Sequence, residues 1–517
     1  MARNPALLLY RLGAIAGGLV LGLALCVALP LAALTEVLFR RRAAASGPGP
    51  LPPAPPPSSL PPPPPNKPLC RPAADHHVID IVAASRGSSG SEPPSPPPPP
   101  PPPREEPFVT TDERLLLPLF RAHGTGALHF AASLGPNPEF AHLYCPSLGP
   151  GSIAFVSAPL PGPAGRLLLG GEPTAVMAVG DPLAPRERWG DVGRAFLRRF
   201  PRGGFFGYVS EDFAKELLRV EQGLHANDWG LSTRILPPAA AADGRAGAGV
   251  GRRSARQEAR RAQKSGLRVR EVLLPDELLP PSGGGGRQAS ALLRAALRDV
   301  SAQWLATRVT RDRELRVFCR RLDLLEDDQA LLRDARAGTR LFVAERDGAA
   351  DQGRGRVVEA FALLDPQCRG GRVVGWVLAS ARARRDAHRG ALKLLVQHLA
   401  ALHSPAPLEL GLSPFAGLAP VERCPFGGGA KWMRLTARFL FACADGRLYA
   451  FRGLAASKAQ YRGANGGEHV SLYCVHRGGG GWVPRLAFLA DLYAIMVFVG
   501  FCGDGVGDTV LKLWGWR

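Results

Sequence analysis

The chain has 517 residues, enough for two or three domains at roughly 100 to 200 residues each. Its 64 Lys and Arg against 44 Asp and Glu leave a net charge of +20, which favours anionic partners such as nucleic acid or phospholipid headgroups, with a solvated basic surface as the alternative. The nine cysteines run from Cys26 to Cys502 without a C-x-x-C pair, which argues against a disulfide framework and a zinc ribbon, fits a reducing compartment and leaves no metal site to expect.

Residues 12–34 carry no charged or strongly polar side chain, and 23 such residues are long enough as a helix to cross a bilayer core of roughly 30 Å. A transmembrane anchor is expected over residues 1–42; a cleaved signal peptide, with its apolar region of about 7 to 15 residues, is the rival. Arg3 and Arg11 precede the span and Arg40, Arg41 and Arg42 follow it, so the positive-inside rule places the rest of the chain in the cytosol by a margin of one charge. Residues 43–107 are dominated by Pro, Ser, Gly and Ala, with eight consecutive prolines from Pro96 to Pro103. Such a stretch cannot bury a core and is expected to be a disordered, semi-rigid polyproline spacer with a reach approaching ~200 Å.

From Phe108 onward the composition is that of a folded protein. Short apolar runs at residues 152–156 and 174–179, bounded by Gly and Pro, predict buried strands. Val192, Phe196, Leu197 and Phe200 share one helical face, and so do Leu293, Leu297, Val300 and Trp304. The alternation indicates an α/β or α+β fold. A break rich in Pro, Ala and Gly at residues 237–250 divides it into two predicted domains, 108–250 and 251–485, leaving a hydrophobic tail at 486–517. Within that tail residues 486–502 are short for a span and predict a helix packed on the second domain or lying at the membrane interface.

The second domain opens with a basic segment, residues 251–266, in which Arg252, Arg256 and Arg260 share a helical face with Arg253. A cationic stripe of this kind can follow a phosphate backbone; a lipid surface or a solvated face are the alternatives. Gly266 is expected to stop the helix before a strand at residues 267–272.

Four stretches, in order, resemble the C-terminal domain of bacterial phosphatidylglycerol lysyltransferases and alanyltransferases. Residues 179–185 look like that family's "lGDPigP", and the basic helix looks like the entry to its catalytic domain. Residues 408–417 look like "nLGmaPLaG", and residues 447–461 look like "fYnFqGLrryKeKF", the most specific of the four. The resemblance implies tandem GNAT-like acyltransferase domains that move an aminoacyl group from tRNA to a lipid hydroxyl, with aminoacyl-tRNA as co-substrate and no other cofactor. It also implies phosphatidylglycerol or another hydroxyl lipid as the acceptor. On it, Lys458, Arg384 and Asp386 are the expected catalytic residues: Lys458 holds donor phosphate or ribose or polarises the ester, Arg384 contacts phosphate, and Asp386 caps the next helix or recognises substrate. Ser413, Tyr461, Glu468, Arg252, Arg256 and Arg260 are the expected substrate-binding residues, with a turn role for Ser413 and a core role for Tyr461 as alternatives. The pattern does not ask for a base at His388.

The chain also departs from the family. Residues 373–381 contain no carboxylate where the resemblance implies one, Val470 stands where "WEPRY" has arginine, and the multispanning flippase portion has no counterpart. A catalytically inactive membrane tether that binds lipid or RNA therefore remains an alternative. So does an acetyl-CoA-dependent GNAT enzyme, although Ala387 stands three before Gly390 where a pyrophosphate loop requires Gln or Arg.

Overall fold

The computed structural model describes residues 106–134, 140–159, 174–201, 204–236, 252–279, 287–307, 320–347, 356–403, 405–418, 426, 441, 450–461 and 467–477. The expected membrane anchor, the proline spacer, the break at 237–250 and the tail at 486–517 lie outside them. Among the described residues no helix is long and apolar enough to cross a membrane.

Among the described residues twelve strands form one mixed sheet in the order β1-β2-β3-β4-β5-β12-β6-β11-β10-β9-β8-β7. The first half of the chain contributes β1 (Phe108–Thr110), β2 (Phe140–Cys145), β3 (Gly151–Pro159), β4 (Thr174–Val179), β5 (Gly204–Val209) and β6 (Leu224–Ile235). The second contributes β7 (Arg268–Val272), β8 (Arg340–Arg346), β9 (Val357–Arg369), β10 (Arg372–Ala383), β11 (Leu408–Pro414) and β12 (Gly467–Arg477). Helices α1 (Glu113–His123), α2 (His129–Ser133), α3 (Trp189–Arg199) and α4 (Glu211–Val220) belong to the first half. Helices α5 (Arg253–Lys264), α6 (Arg287–Ala306), α7 (Asp328–Arg336), α8 (Ala391–Leu402) and α9 (Phe451–Ala459) belong to the second.

The two halves repeat one plan. Two helices follow the first strand of each half; three strands come next, and the last of these passes through a helix to a parallel neighbour, β4 to β5 and β10 to β11. Each half then adds a helix and a last strand, and these last strands are exchanged: β6 pairs with β11, β12 pairs with β5, and β6 and β12 pair with each other. Two packed α/β units, one per predicted domain, were expected from the sequence. The exchange joins their edges into a single sheet instead, because each last strand satisfies its backbone N–H and C=O groups against the other half.

Packing follows the strand period of two. On β8, Phe342 and Ala344 join Leu395 and Leu399 of α8, while Leu341 and Val343 face the other way onto Val300 of α6 and Leu331 of α7. In the first half Phe155, Phe196, Phe206 and Phe213 build an aromatic core, with Phe206 and Phe213 edge to face at 5.6 Å. Helix α5 buries only Ala255, Ala259 and Ala262, so it lies close to α8. There a Cβ on Gly390 would come within 2.2 Å of the Glu258 carbonyl oxygen.

Strand β9 is buried along almost its whole length, and its buried Glu359, Asp365 and Gln367 all have partners, as burial requires. Asp365 accepts from Arg320 at 3.2 Å and from Thr339 at 2.9 Å, and Arg320 donates to Asp334 at 2.6 Å while its guanidinium lies 5.0 Å from the Phe130 ring. Two buried carboxylates share this one guanidinium, and burial with that like charge pushes Asp365 up to about 6. The motif at residues 179–185 forms a comparable knot in the first half. Asp181 accepts the Ser210 N–H at 2.8 Å at the start of α4, and its carbonyl accepts from His129 Nε2 at 2.9 Å.

Because His129 Nδ1 accepts the Gly126 N–H at 2.9 Å, its ring is held neutral, and burial lowers its pKa to about 4. Burial lowers His142 and His403 to about 4 as well. Their folded values lie below the unfolded value near 6.5, so their contribution is complete above about pH 6.5 and is lost as the pH falls toward 4. From pH 7 to 5 this costs up to about 2 kcal/mol for each of the fully buried His129 and His142 and less for the half-screened His403, while Asp181 and Asp365, raised to about 6, return about 1 kcal/mol each. A net loss of a few kcal/mol is expected, read as a lower urea midpoint at pH 5 than at pH 7; an equal or higher midpoint at pH 5 would contradict the neutral-imidazole assignment. Gly390→Ala is expected to destabilise the chain by about 1 to 3 kcal/mol by forcing α8 away from α5, measured by thermal unfolding against an Ala391→Gly control.

Candidate functional site

The centre of the sheet holds a cleft of about 370 Å³ between α9 and strands β6, β11 and β12. Its wall on α9 is Arg452, Ala455, Ala456 and Ala459, and three alanines in four positions leave the space open. Leu231 and Thr233 of β6, Ser413 of β11 and His469 of β12 form the sheet side. A bulge shapes it: the register of β11 on β6 jumps between Glu409 opposite Arg234 and Leu412 opposite Ser232, and Gly411 takes φ 74° within the jump. Lys458 Nζ donates to the Leu412 carbonyl oxygen at 2.6 Å and so pins α9 over the bulge.

The polar groups of the cleft are few. Ser413 is 3% exposed, and its buried hydroxyl has no hydrogen-bond partner. Thr233 Oγ1 and His469 Nδ1 lie 3.0 Å apart on register-paired residues of β6 and β12. Arg452 is exposed at the rim. On the opposite face of the same strands Ser232 Oγ donates to Glu409, and Gln367 Nε2 donates to Glu409 Oε2 at 2.7 Å and to the Thr125 carbonyl at 2.6 Å. A buried carboxylate thus stands one strand away from the acid-free stretch of β10, with Glu409 in register with Val377.

The expected site residues are only partly brought together. Ser413 lines the cleft and Lys458 lies directly behind its α9 wall. Tyr461 is buried with Ile235, Ala262 and Leu395, which raises its phenol pKa, so it serves as core. Glu468 pairs across the strands with Arg234 at 3.3 Å, and its place on β12 next to His469 turns it to the other face.

Arg384 and Asp386 do not border the cleft. Arg384 binds both carboxylate oxygens of Asp386, at 3.0 and 3.3 Å, and this pairing lowers the Asp386 pKa. The expectation that Asp386 caps α8 is corrected: the N-cap is Gly390, four residues later, with no side-chain cap, and the Gly390 N–H is taken by His388 Nδ1 at 3.0 Å. The chain between β10 and α8 turns around Glu359, which accepts the His388 N–H at 2.8 Å, and this carries Asp386 outward.

The basic segment forms a helix, and its N-cap reaches the site: the Arg252 N–H donates to the Gln460 carbonyl at 2.7 Å, just past the end of α9. With Ala255, Ala259 and Ala262 buried, Arg253, Arg260, Arg261 and Lys264 are exposed, Arg252 is exposed at the cap, and Arg256 is half-buried. The exposed cationic stripe is therefore displaced from the expected face toward Arg253, Arg260 and Lys264.

Sequence reasoning missed Thr233, His469 and Arg452. Arg452 stands inside the quoted 447–461 motif and was within reach, whereas Thr233 and His469 meet only through the β6–β12 register. A larger hollow of about 430 Å³ lies against α1, lined by Pro118, Pro150 and Pro185 with His123, Glu187 and Arg188. It adjoins none of the second-half motifs, so the smaller cleft is the candidate.

Comparison with known proteins places this geometry. No curated protein matches the chain. Several solved structures resemble it, two of them as follows. One is the C-terminal domain of a proposed lysylphosphatidylglycerol synthetase from Agrobacterium fabrum, at 18% identity over 74% of this chain and 96% of that one, with a TM-score of 0.49. The other is L-PGS from Bacillus licheniformis, at 15% identity over 77% of this chain and 98% of that one, with a TM-score of 0.50, a likeness of fold. A family described as phosphatidylglycerol lysyltransferase, C-terminal, matches residues 164–475, which take in every element from β4 to α9, most of β12 and the cleft residues named above. By that match the chain belongs to the phosphatidylglycerol lysyltransferase C-terminal family.

Proposed function

We propose that the chain transfers an aminoacyl group from aminoacyl-tRNA to the hydroxyl of a membrane lipid of the phosphatidylglycerol type, and that its two halves are tandem GNAT-like acyltransferase domains. In this reading residues 12–34 anchor the chain with its catalytic part in the cytosol. The observation that carries it is the junction of α5 with α9: the Arg252 N–H bonds to the Gln460 carbonyl at 2.7 Å, so an exposed cationic helix begins where the motif helix bordering the cleft ends. A phosphate backbone following Arg253, Arg260 and Lys264 would bring a terminal ester toward that cleft. Lys458 acts by holding α9 on β11, which positions Arg452 and the alanine wall, and its charge lies behind the place where the reacting ester would sit.

The acid-free stretch of β10 favours a second reading, an inactive tether that binds lipid or RNA without transfer. An acetyl-CoA enzyme is disfavoured, since Gly390 is packed against the Glu258 carbonyl instead of opening a phosphate loop. The full chain mixed with a panel of labelled aminoacyl-tRNAs and phosphatidylglycerol liposomes tests these readings. Label entering the organic phase supports transfer, and tRNA or liposome retention without labelled lipid supports the tether.

Lys458→Ala is expected to lower transfer at saturating tRNA on the order of 100-fold, measured as labelled lipid formed per minute, and to lower the thermal midpoint through loss of the bond that holds α9 on β11. Arg253→Ala combined with Arg260→Ala is expected instead to raise the tRNA concentration needed. Each lost phosphate contact should lower the slope of log affinity against log salt by about 0.9, or about 0.7 on a single strand, measured by filter binding over a salt series.

A further inference from the structure

We propose that His469, oriented by Thr233, is the base that takes the proton from the attacking lipid hydroxyl; this rests on the transfer reading above. A hydroxyl is a poor nucleophile at neutral pH, so ester exchange requires a group beside the reacting carbon that accepts its proton and later gives it up. Among the described residues that line the cleft there is no carboxylate, and imidazole is the one side chain present that changes charge near neutral pH. Arg452 offers donors and no acceptor, and Ser413 and Thr233 are neutral hydroxyls. The nearest carboxylates are directed elsewhere: Glu409 is bonded to Ser232 and Gln367 on the opposite face, and Glu468 is paired with Arg234.

Thr233 supplies the orientation. With its Oγ1 3.0 Å from His469 Nδ1, the hydroxyl oxygen can accept Nδ1–H, the tautomer that makes Nε2 the basic nitrogen. The 3.0 Å contact is set by register pairing of two central strands, a rigid support for such a ring. Ser413 adds an independent sign that a ligand belongs here, because its hydroxyl lines the cleft, is buried and lacks a partner. In the step proposed, the lipid oxygen bonds to the acyl carbon as its proton moves to Nε2. The tetrahedral oxyanion lies within the field of Arg452. It collapses by breaking the bond from the acyl carbon to the ribose oxygen, which takes the proton back from the imidazolium. One ester replaces another, and His469 returns to its neutral form.

Among the described residues the charged and titratable groups around the ring include Arg452 on α9, with Lys458 behind it, and the Arg234–Glu468 pair turned to the other face of β6 and β12; Thr233 and Ser413 are neutral. The full chain with phosphatidylglycerol liposomes and aminoacyl-tRNA provides the test. His469→Gln is expected to lower kcat on the order of 100-fold and to abolish the acid limb of the pH–rate profile. Thr233→Val is expected to lower kcat about 10-fold and Thr233→Ser to restore it. Nitrogen-15 shifts of the His469 ring should report Nδ1–H in the parent chain and its loss in Thr233→Val. Wild-type transfer that His469→Gln leaves unchanged in rate and acid limb would overturn the base assignment alone, and so would a ring protonated only at Nε2. Absence of transfer by the parent chain from every aminoacyl-tRNA would overturn the transfer reading, and the base assignment with it.

Discussion

The pairing of β6 with β12 is the constraint on which the rest of the molecule depends. Eleven register pairs join Leu224–Ile235 to Gly467–Arg477, and each of the two strands is also bonded to the penultimate strand of the opposite half. Neither half can close its own sheet without the other, because the last strand of each lies inside the partner's. Long-range pairing of this kind costs loop-closure entropy before it is repaid. In return, the middle of the sheet is rigid, and groups far apart in the chain meet with fixed geometry there. Thr233 and His469 are the case in point.

Buried polar chemistry ties the halves together a second time. Arg320 reaches Asp334 and Asp365 in the second half while its guanidinium faces Phe130 of the first, and Gln367 bridges from Glu409 to the Thr125 carbonyl. Backbone bonds from Cys368, Gly370 and Gly371 to the end of α1 and the turn after it complete the seam. Groups of this sort stabilise little in net terms. They are costly to leave unpaired, so they specify one relative placement of the halves. The neutral, fully bonded His129 and His142 follow the same logic inside the first half.

The cleft results from one irregularity in this otherwise regular centre. The bulge at Gly411 turns the Leu412 carbonyl to meet Lys458, and the alanines of α9 leave space where larger side chains would pack down on the strands. Lys458 is therefore tied into the architecture of the site, and the groups lining the space are Arg452, Ser413, Thr233 and His469. The carboxylate absent from β10 has a neighbour in Glu409, but that residue faces away from the cleft and is bonded to neutral partners, so nothing in its placement substitutes for the missing charge.

By itself the sequence determined the elements and the family. Short apolar runs marked β3 and β4, period-3.6 apolar patterns marked α3 and α6, and Gly266 marked the end of α5, because side-chain burial imposes those patterns locally. The motifs at 179–185, 408–417 and 447–461 carried the resemblance, since each encodes a local knot: Asp181 on Ser210, the β11 bulge, and α9 with Lys458. Tertiary structure alone decided the strand exchange, which residues share the cleft, and which cations face outward on α5. Register between β6 and β12 depends on contacts more than 200 positions apart, and no spacing along the chain reports it. Arg384 and Asp386 show the converse. They sit in a recognisable stretch, yet Glu359 and the packing of Gly390 on Glu258 turn that stretch away from the centre of the sheet.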